Sequence, residues 1–220
     1  MRPLRVLIAC ETSGVVRRAF LARGYDAWSN DILPAEDGSN RHIRCDVREI
    51  LDDGWDLMMV AHPPCTRLCN SGVRWLHTPP PGRSNDDMWR ELDDGAALFS
   101  AVWNAPIDRI AVENPVMHRY AKERIVNYER PAQTVQPWWF GEKAFKATSF
   151  YLRGLPALTA TNRLIPPRPG TEEHKAWSVV HRAPPGPERW RIRSRTFPGI
   201  AAAMAAQWGD HAVADVGRVA

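Results

Sequence analysis

The chain has 220 residues, a formal net charge of +4 and 44% hydrophobic residues, enough for one α/β domain with a real core. No stretch approaches the roughly 20 apolar residues that a bilayer span needs, and the short apolar run after Arg2 and Arg5 meets Glu11 too soon for a secretory leader. Four cysteines in a chain of this size do not make a disulfide scaffold, so the composition predicts a soluble cytoplasmic protein with reduced thiols.

Residues 5–10, RVLIAC, are an apolar run of the kind a buried parallel strand makes. ETSG breaks it, and residues 15–24, VVRRAFLARG, have the pattern of an amphipathic helix closed by Gly24. YDAWSND predicts a second strand ending on Asp31, and NRHIRCDV a third ending near Asp46. REILDDG reads as a short helix or turn, and WDLMMVAHP as a fourth strand that runs out at Cys65. Residues 77–87, HTPPPGRSNDD, have the composition of a mobile loop. The stretch that follows puts Met88, Leu92, Ala96, Ala97, Phe99 and Val102 near one helical face. Residues 109–115, RIAVENP, make a fifth strand.

This β-α-β-α-β alternation predicts a doubly wound, mostly parallel sheet. Ligands of such sheets bind beyond the carboxyl ends of the strands, and Gly14, Asp31, Asp46, Cys65 and Glu113 all fall at such ends. After Pro115 the periodicity weakens. Residues 145–155 read as a strand, and residues 155–189 are rich in proline and basic residues. Residues 197–209, FPGIAAAMAAQWG, predict an apolar helix with Pro198 near its start, where proline is tolerated. Residues 181–195, HRAPPGPERWRIRSR, read either as a proline-stiffened surface loop or as a phosphate-contacting strip.

The segment VAHPPCTRLCNSG places a thiol where a strand becomes a loop. His62, Cys65 and Cys69, with His77 or Cys45 as a fourth, offer metal ligands, but zinc sites prefer paired short spacings and only one loose cluster exists; no metal site is expected. A buried filler role suits Cys69 and Cys10 better than Cys65. A nucleophile is activated by nearby positive charge, and Arg67 and Arg74 lie close in sequence. Glu113, at the end of another strand, is placed to face the same cleft. A carboxyl group that protonates or hydrogen-bonds a ring nitrogen activates a carbon for thiol attack.

The same segment resembles the catalytic motif of DNA cytosine-5 methyltransferases: a strand, then Pro64-Cys65, then Ser71-Gly72 at the family's spacing. VENP, residues 112–115, resembles the family's Glu-Asn-Val motif, with Pro115 in place of valine. SNDI, residues 29–32, is similar to the segment whose acidic residue holds the ribose of S-adenosylmethionine, and CDV, residues 45–47, to the one whose Asp contacts the adenine amino group. The matches occur in the family's order over residues 5–115. The departures are specific. The family's Phe-x-Gly-x-Gly stands here as Cys10-Glu11-Thr12-Ser13-Gly14, and the glutamine that usually follows the catalytic cysteine is Thr66. The Gln-x-Arg-x-Arg strand has an echo only in Lys146-Ala147-Thr148, and residues 153–190 are too few for the usual target-recognition domain. The resemblance is to a compact, phage-type member.

It implies an α/β, Rossmann-like S-adenosylmethionine-dependent methyltransferase fold. Residues 1–153 would form the catalytic and cofactor-binding core, 154–195 a reduced Pro/Arg-rich substrate-contact region, and 196–220 a C-terminal helix packed on the core. It implies Cys65 as nucleophile toward cytosine C6 and Glu113 as its partner at N3. Contacts to S-adenosyl-L-methionine fall to Cys10, Glu11, Thr12, Ser13, Gly14, Asp31, Ile32, Asp46, Val47 and Pro64. Contacts to the substrate fall to Arg67, Ser71, Arg74, Asn114, Lys146 and Thr148. The implied partner is double-stranded DNA, read with little sequence preference, and no membrane. Trp138, Trp139 and Trp190 are stacking candidates, the first two reading more naturally as core or wall. Two alternatives stay open. One is pyrimidine C5 modification of a nucleotide, single-stranded DNA or RNA. The other is a non-catalytic DNA-binding protein on the same fold, against which the presence of both Cys65 and Glu113 argues.

Overall fold

The structure is a computed structural model that describes residues 2–61, 63–186 and 189–219. His62, weighed above as a metal ligand, lies outside the described residues. Seven strands form one sheet: β1 (Arg5–Ala9), β2 (Asp26–Asp31), β3 (His42–Arg44), β4 (Leu57–Val60), β5 (Ile110–Glu113), β6 (Gln133–Val135) and β7 (Thr148–Arg153). Their order is β3-β2-β1-β4-β5-β7-β6. The first five run parallel, and β7 runs antiparallel to both β5 and β6. The chain steps outward from β1 to β3 and then returns to β4 beside β1, so the switch point of this doubly wound sheet lies between β1 and β4.

Among the described residues six α-helices accompany the sheet: α1 (Val15–Leu21), α2 (Asn85–Trp103), α3 (Arg119–Arg124), α4 (Glu172–Trp177), α5 (Arg189–Ser194) and α6 (Pro198–Val219). β4 and β5 are buried at every position, as central parallel strands covered on both faces must be. On one face α2 lays Leu92, Phe99 and Val102 against Leu7, Met58 and Val60. On the other, Phe20 of α1 and Ile200, Met204 and Trp208 of α6 pack on Val6, Ile8, Met59 and Phe150. α2 starts where its sequence provides a capping box: Ser84 Oγ accepts from Asp87 N at 3.1 Å, and the Asp87 carboxylate accepts from Ser84 N at 3.1 Å.

The elements expected over residues 5–113 are all present within a few residues. Those after Pro115 differ more. α3, α4 and α5 have six residues each and β6 has three, too short for an apolar period to develop. α6 continues past Gly209 to Val219. Ala212 beyond Gly209 is fully buried, and tertiary packing overrides the weak local preference of the glycine.

Candidate active site

Register brings the central loops together. Val60 of β4 pairs with Val112 of β5, so the chain beyond one strand end lies beside the chain beyond the other. The two loops are then joined: Asn70 N donates to Val116 O at 3.1 Å, His118 N to Leu68 O at 3.1 Å, and Cys69 bridges to Met117. Cys65 opens a tight turn in which its carbonyl accepts from Leu68 N at 3.0 Å and Cys69 N at 3.1 Å. The glycine of the Ser71-Gly72 pair has a packing reason. A Cβ on Gly72 would sit 1.9 Å from the Thr66 carbonyl oxygen.

Cys65 is half-buried. Burial, the neighbouring Glu113 and then Cys69 push its thiol up to about 12, while the positive charge of Lys146 acts in the opposite sense. Glu113 is 9% exposed. Its burial raises the carboxyl above the ordinary value, and Lys146 again opposes the shift. Both groups therefore favour the neutral form, and one cation acts on both. Lys146 Nζ is held by the carbonyls of Ser194 at 3.1 Å and Arg195 at 3.4 Å, at the end of α5. Glu113, Lys146, Thr148, Phe197 and Met204 line a narrow crevice. Thr148 Oγ1 donates to the Lys146 carbonyl at 3.2 Å. Asn114 is fully buried, and neither its amide oxygen nor its amide nitrogen has a partner. Its backbone N–H is held by Ser149 O at 3.1 Å.

A second cluster lies across the switch point. Cys10 follows β1 in a left-handed conformation (φ 55°), and burial, Asp31 and Asp46 raise its thiol to about 12. The ends of β1, β2 and β3 thus converge there. Asp31 is half-buried and accepts from Leu33 N at 2.9 Å; burial raises its carboxyl. Ile32 beside it is 68% exposed, and Pro64 is exposed as well. Asp46 caps the turn Val47–Glu49. Its Oδ1 accepts from Arg48 N and Nε, both at 2.9 Å, and Oδ2 pairs with Arg48 Nη2. Arg48 holds that carboxyl down at about 2.

Four of the expected cofactor residues turn their side chains elsewhere. Glu11 is fully buried and accepts from Val16 N at 2.7 Å, Arg17 N at 3.2 Å and Ser13 Oγ at 3.2 Å. Glu11 and Ser13 therefore close the N-terminus of α1. Val47 is 4% exposed and belongs to the core. Thr12 Oγ1 donates to Glu36 at 3.0 Å. Gly14 keeps the left-handed turn (φ 66°), but the space it leaves is filled by the chain itself. A Cβ there would meet Arg17 Nη2 at 2.5 Å and Asp37 at 2.7 Å, members of an ion pair beneath the turn.

Arg67, expected at a phosphate, instead donates from Nε to Glu91 of α2 at 2.7 Å with its side chain only 13% exposed. Arg74 is exposed and stacks over Trp75 at 4.2 Å, and exposed Ser71 sits with Oγ 3.0 Å from Cys69 Sγ. Trp138 and Trp139 are half-buried beside Arg163, at 5.6 and 4.6 Å, while Trp190 is 50% exposed. Sequence reasoning missed Phe197 and Met204 as crevice residues, because only the docking of α6 brings them there. Among the described residues no group of three or more His, Cys, Asp or Glu could hold a metal ion. No helix in them is long and apolar enough to cross a membrane.

No family model matches the chain, and no curated protein matches it. Seventeen solved chains are similar to it. One is the methyltransferase EhMeth of Entamoeba histolytica, at 12% identity and a TM-score of 0.46, over 74% of this chain and 58% of that one. This chain therefore spans less than two thirds of that protein's length. The fold rests on its own sheet order: it is α/β and Rossmann-like, with a seven-stranded sheet consistent with a methyltransferase fold.

Proposed function

We propose that this chain methylates cytosine at C5 in double-stranded DNA, using S-adenosylmethionine and a covalent bond between Cys65 and C6. The observation that carries the reading is the meeting of Cys65 and Glu113 at the ends of adjacent parallel strands, with Lys146 acting on both. Cytosine C5 is a poor nucleophile. Bond formation between Cys65 Sγ and C6, with a proton or hydrogen bond from Glu113 at N3, turns C5 into an enamine-like carbon. A carboxyl whose burial retains its proton suits that donation. The charge of Lys146 favours the thiolate that must attack. S-adenosylmethionine, when bound, supplies a methyl group on positively charged sulfur. Loss of the C5 proton and departure of Cys65 then restore the enzyme. In a duplex the base must first leave the stack, at a cost of a few kcal/mol.

The residues present fit the nucleoside end of that methyl donor. Asp31 keeps carboxylate capacity for ribose hydroxyls beyond its bond to Leu33 N, and exposed Ile32 and Pro64 offer apolar surface to a flat base. The donors of Val16 and Arg17 at α1 are occupied by Glu11, so the helix N-terminus would not hold the donor's carboxylate. That same occupation favours a second reading, a DNA-binding protein without activity, which binding of S-adenosylmethionine would exclude.

The test is incubation of the protein with S-adenosylmethionine and duplex DNA, single-stranded DNA, RNA or cytidine nucleotides. Mass measurement of the digested nucleosides follows, with Cys65→Ala as control. A Cys65-dependent gain of 5-methylcytosine in duplex DNA is expected. A gain only in another substrate moves the assignment there, and no modified base in any sample refutes the reaction.

A further inference from the structure

The arginine-rich segment is fastened at two points. Arg191 Nε lies 3.4 Å from Glu36 Oε1, and Arg195 Nη2 pairs with Glu36 Oε2. At the other side the Ser194 and Arg195 carbonyls receive Lys146 Nζ, the same ammonium whose charge acts on Cys65 and Glu113. Arg191 and Arg195 are four residues apart and share one side of a helical turn, with Arg195 N bonded to Arg191 O at 3.4 Å. Glu36 is a fixed receiver. Its N–H donates to Thr12 O at 2.8 Å, its carboxylate accepts from Thr12 Oγ1 at 3.0 Å, and its side chain is 21% exposed. The two arginine side chains keep 44% and 50% of their surface in solvent. Ion pairs this exposed are weak enough to exchange. Guanidinium recognises carboxylate and phosphate by the same forked geometry. Arg193 and Trp190 are exposed on α5 as well, so a strand reaching the segment meets further cationic and stacking surface.

We propose that Glu36 is an internal stand-in for a nucleic-acid phosphate: it latches residues 189–196 until backbone phosphates displace it from Arg191 and Arg195. The proposal rests on the reading of nucleic acid as the partner. It makes the segment autoinhibitory toward binding, and it couples the exchange to the crevice through the carbonyls that hold Lys146.

Fluorescence anisotropy with labelled duplex and single-stranded oligonucleotides, at low and moderate salt and without methyl donor, tests it. Glu36→Gln keeps an acceptor for Thr12 and removes the charge, so affinity should rise roughly three- to tenfold on either oligonucleotide. Arg191→Gln with Arg195→Gln should weaken binding and lower the salt slope by about 2. On that background Glu36→Gln should give no gain. Circular dichroism melts check that each variant folds. No gain from Glu36→Gln, an equal gain without the two arginines, or no binding by any variant overturns the latch. Because no product is read, a chain that binds as expected but methylates nothing refutes the proposed reaction and leaves the latch standing.

Discussion

Replacing Gly72 with alanine adds one methyl group at a point where the chain leaves no room. Its Cβ would lie 1.9 Å from the backbone oxygen of Thr66 and 3.0 Å from the carbonyl carbon, against an ordinary contact of 3.4 Å or more. Backbone cannot swing aside as a flexible side chain does, so the turn must open by about 1.5 Å. That turn begins at Cys65, and its far side is fixed to the loop after β5 through Asn70, Leu68 and Cys69. Overpacking of this kind costs about 1–3 kcal/mol. A reacting atom displaced by about 1 Å loses on the order of 100-fold in rate. Gly72→Ala should therefore fold, with a urea midpoint lowered in proportion, and methylate on the order of 100-fold more slowly at saturating substrate. The assay is transfer of labelled methyl to DNA, paired with urea denaturation. Native rate and native midpoint together would refute the packing argument and with it the link between loop position and reaction.

Glu113→Gln should reduce kcat/KM by about 100- to 10,000-fold, as loss of a positioned acid does, measured by the same methyl transfer. Its stability should also depend on pH. The folded carboxyl is raised above 4.5, so its contribution to stability is full below 4.5 and is lost as pH rises through the folded value. Glu113→Gln should therefore gain on the native protein in urea midpoint as pH rises above 4.5. Arg153 donates to the carbonyls of Trp103, Ala105 and Ile107 at 2.8, 2.6 and 2.7 Å. Arg153→Met leaves those acceptors short of donors and should cost about 1–3 kcal/mol in urea denaturation, without change in KM. Trp208 is fully buried, donates Nε1 to Pro156 O at 2.9 Å and meets Phe150 edge-on; Trp208→Ala should cost about 3–5 kcal/mol by the same measurement.

The half of the molecule that is legible in sequence is the half built by repetition. Strand, turn and helix recur from Arg5 to Glu113, so Gly14, Asp31, Asp46, Cys65 and Glu113 could be placed at strand ends from the sequence alone. What the pattern could not reveal is which polar groups the chain uses on itself. Glu11 and Ser13 occupy a turn that reads as ligand space, yet Val16 and Arg17 claim Glu11, and Ser13 Oγ donates to the same carboxylate. Arg67 reads as a free cation beside the thiol, but its partner Glu91 is one helix away. The crevice wall was hidden for a different reason. Phe197 and Met204 face Glu113 only because α6 folds back over the sheet, and nothing local in FPGIAAAMAAQWG says where that helix lands.

The place of α6 also sets the order in which the protein becomes competent during synthesis. Cys65, Glu113 and Lys146 leave the ribosome well before Pro198. Until α6 follows, the sheet face built from Val6, Ile8, Met59 and Phe150 lacks its cover of Ile200, Met204 and Trp208. A nascent chain stalled near Lys146 would hold Cys65 and Glu113 with one wall of the crevice missing and a wide apolar face bare to chaperones or to other unfinished chains. The crevice is therefore completed only once α6 has been made. A frameshift or stop codon shortly before Pro198 would yield a fragment with that apolar face uncovered.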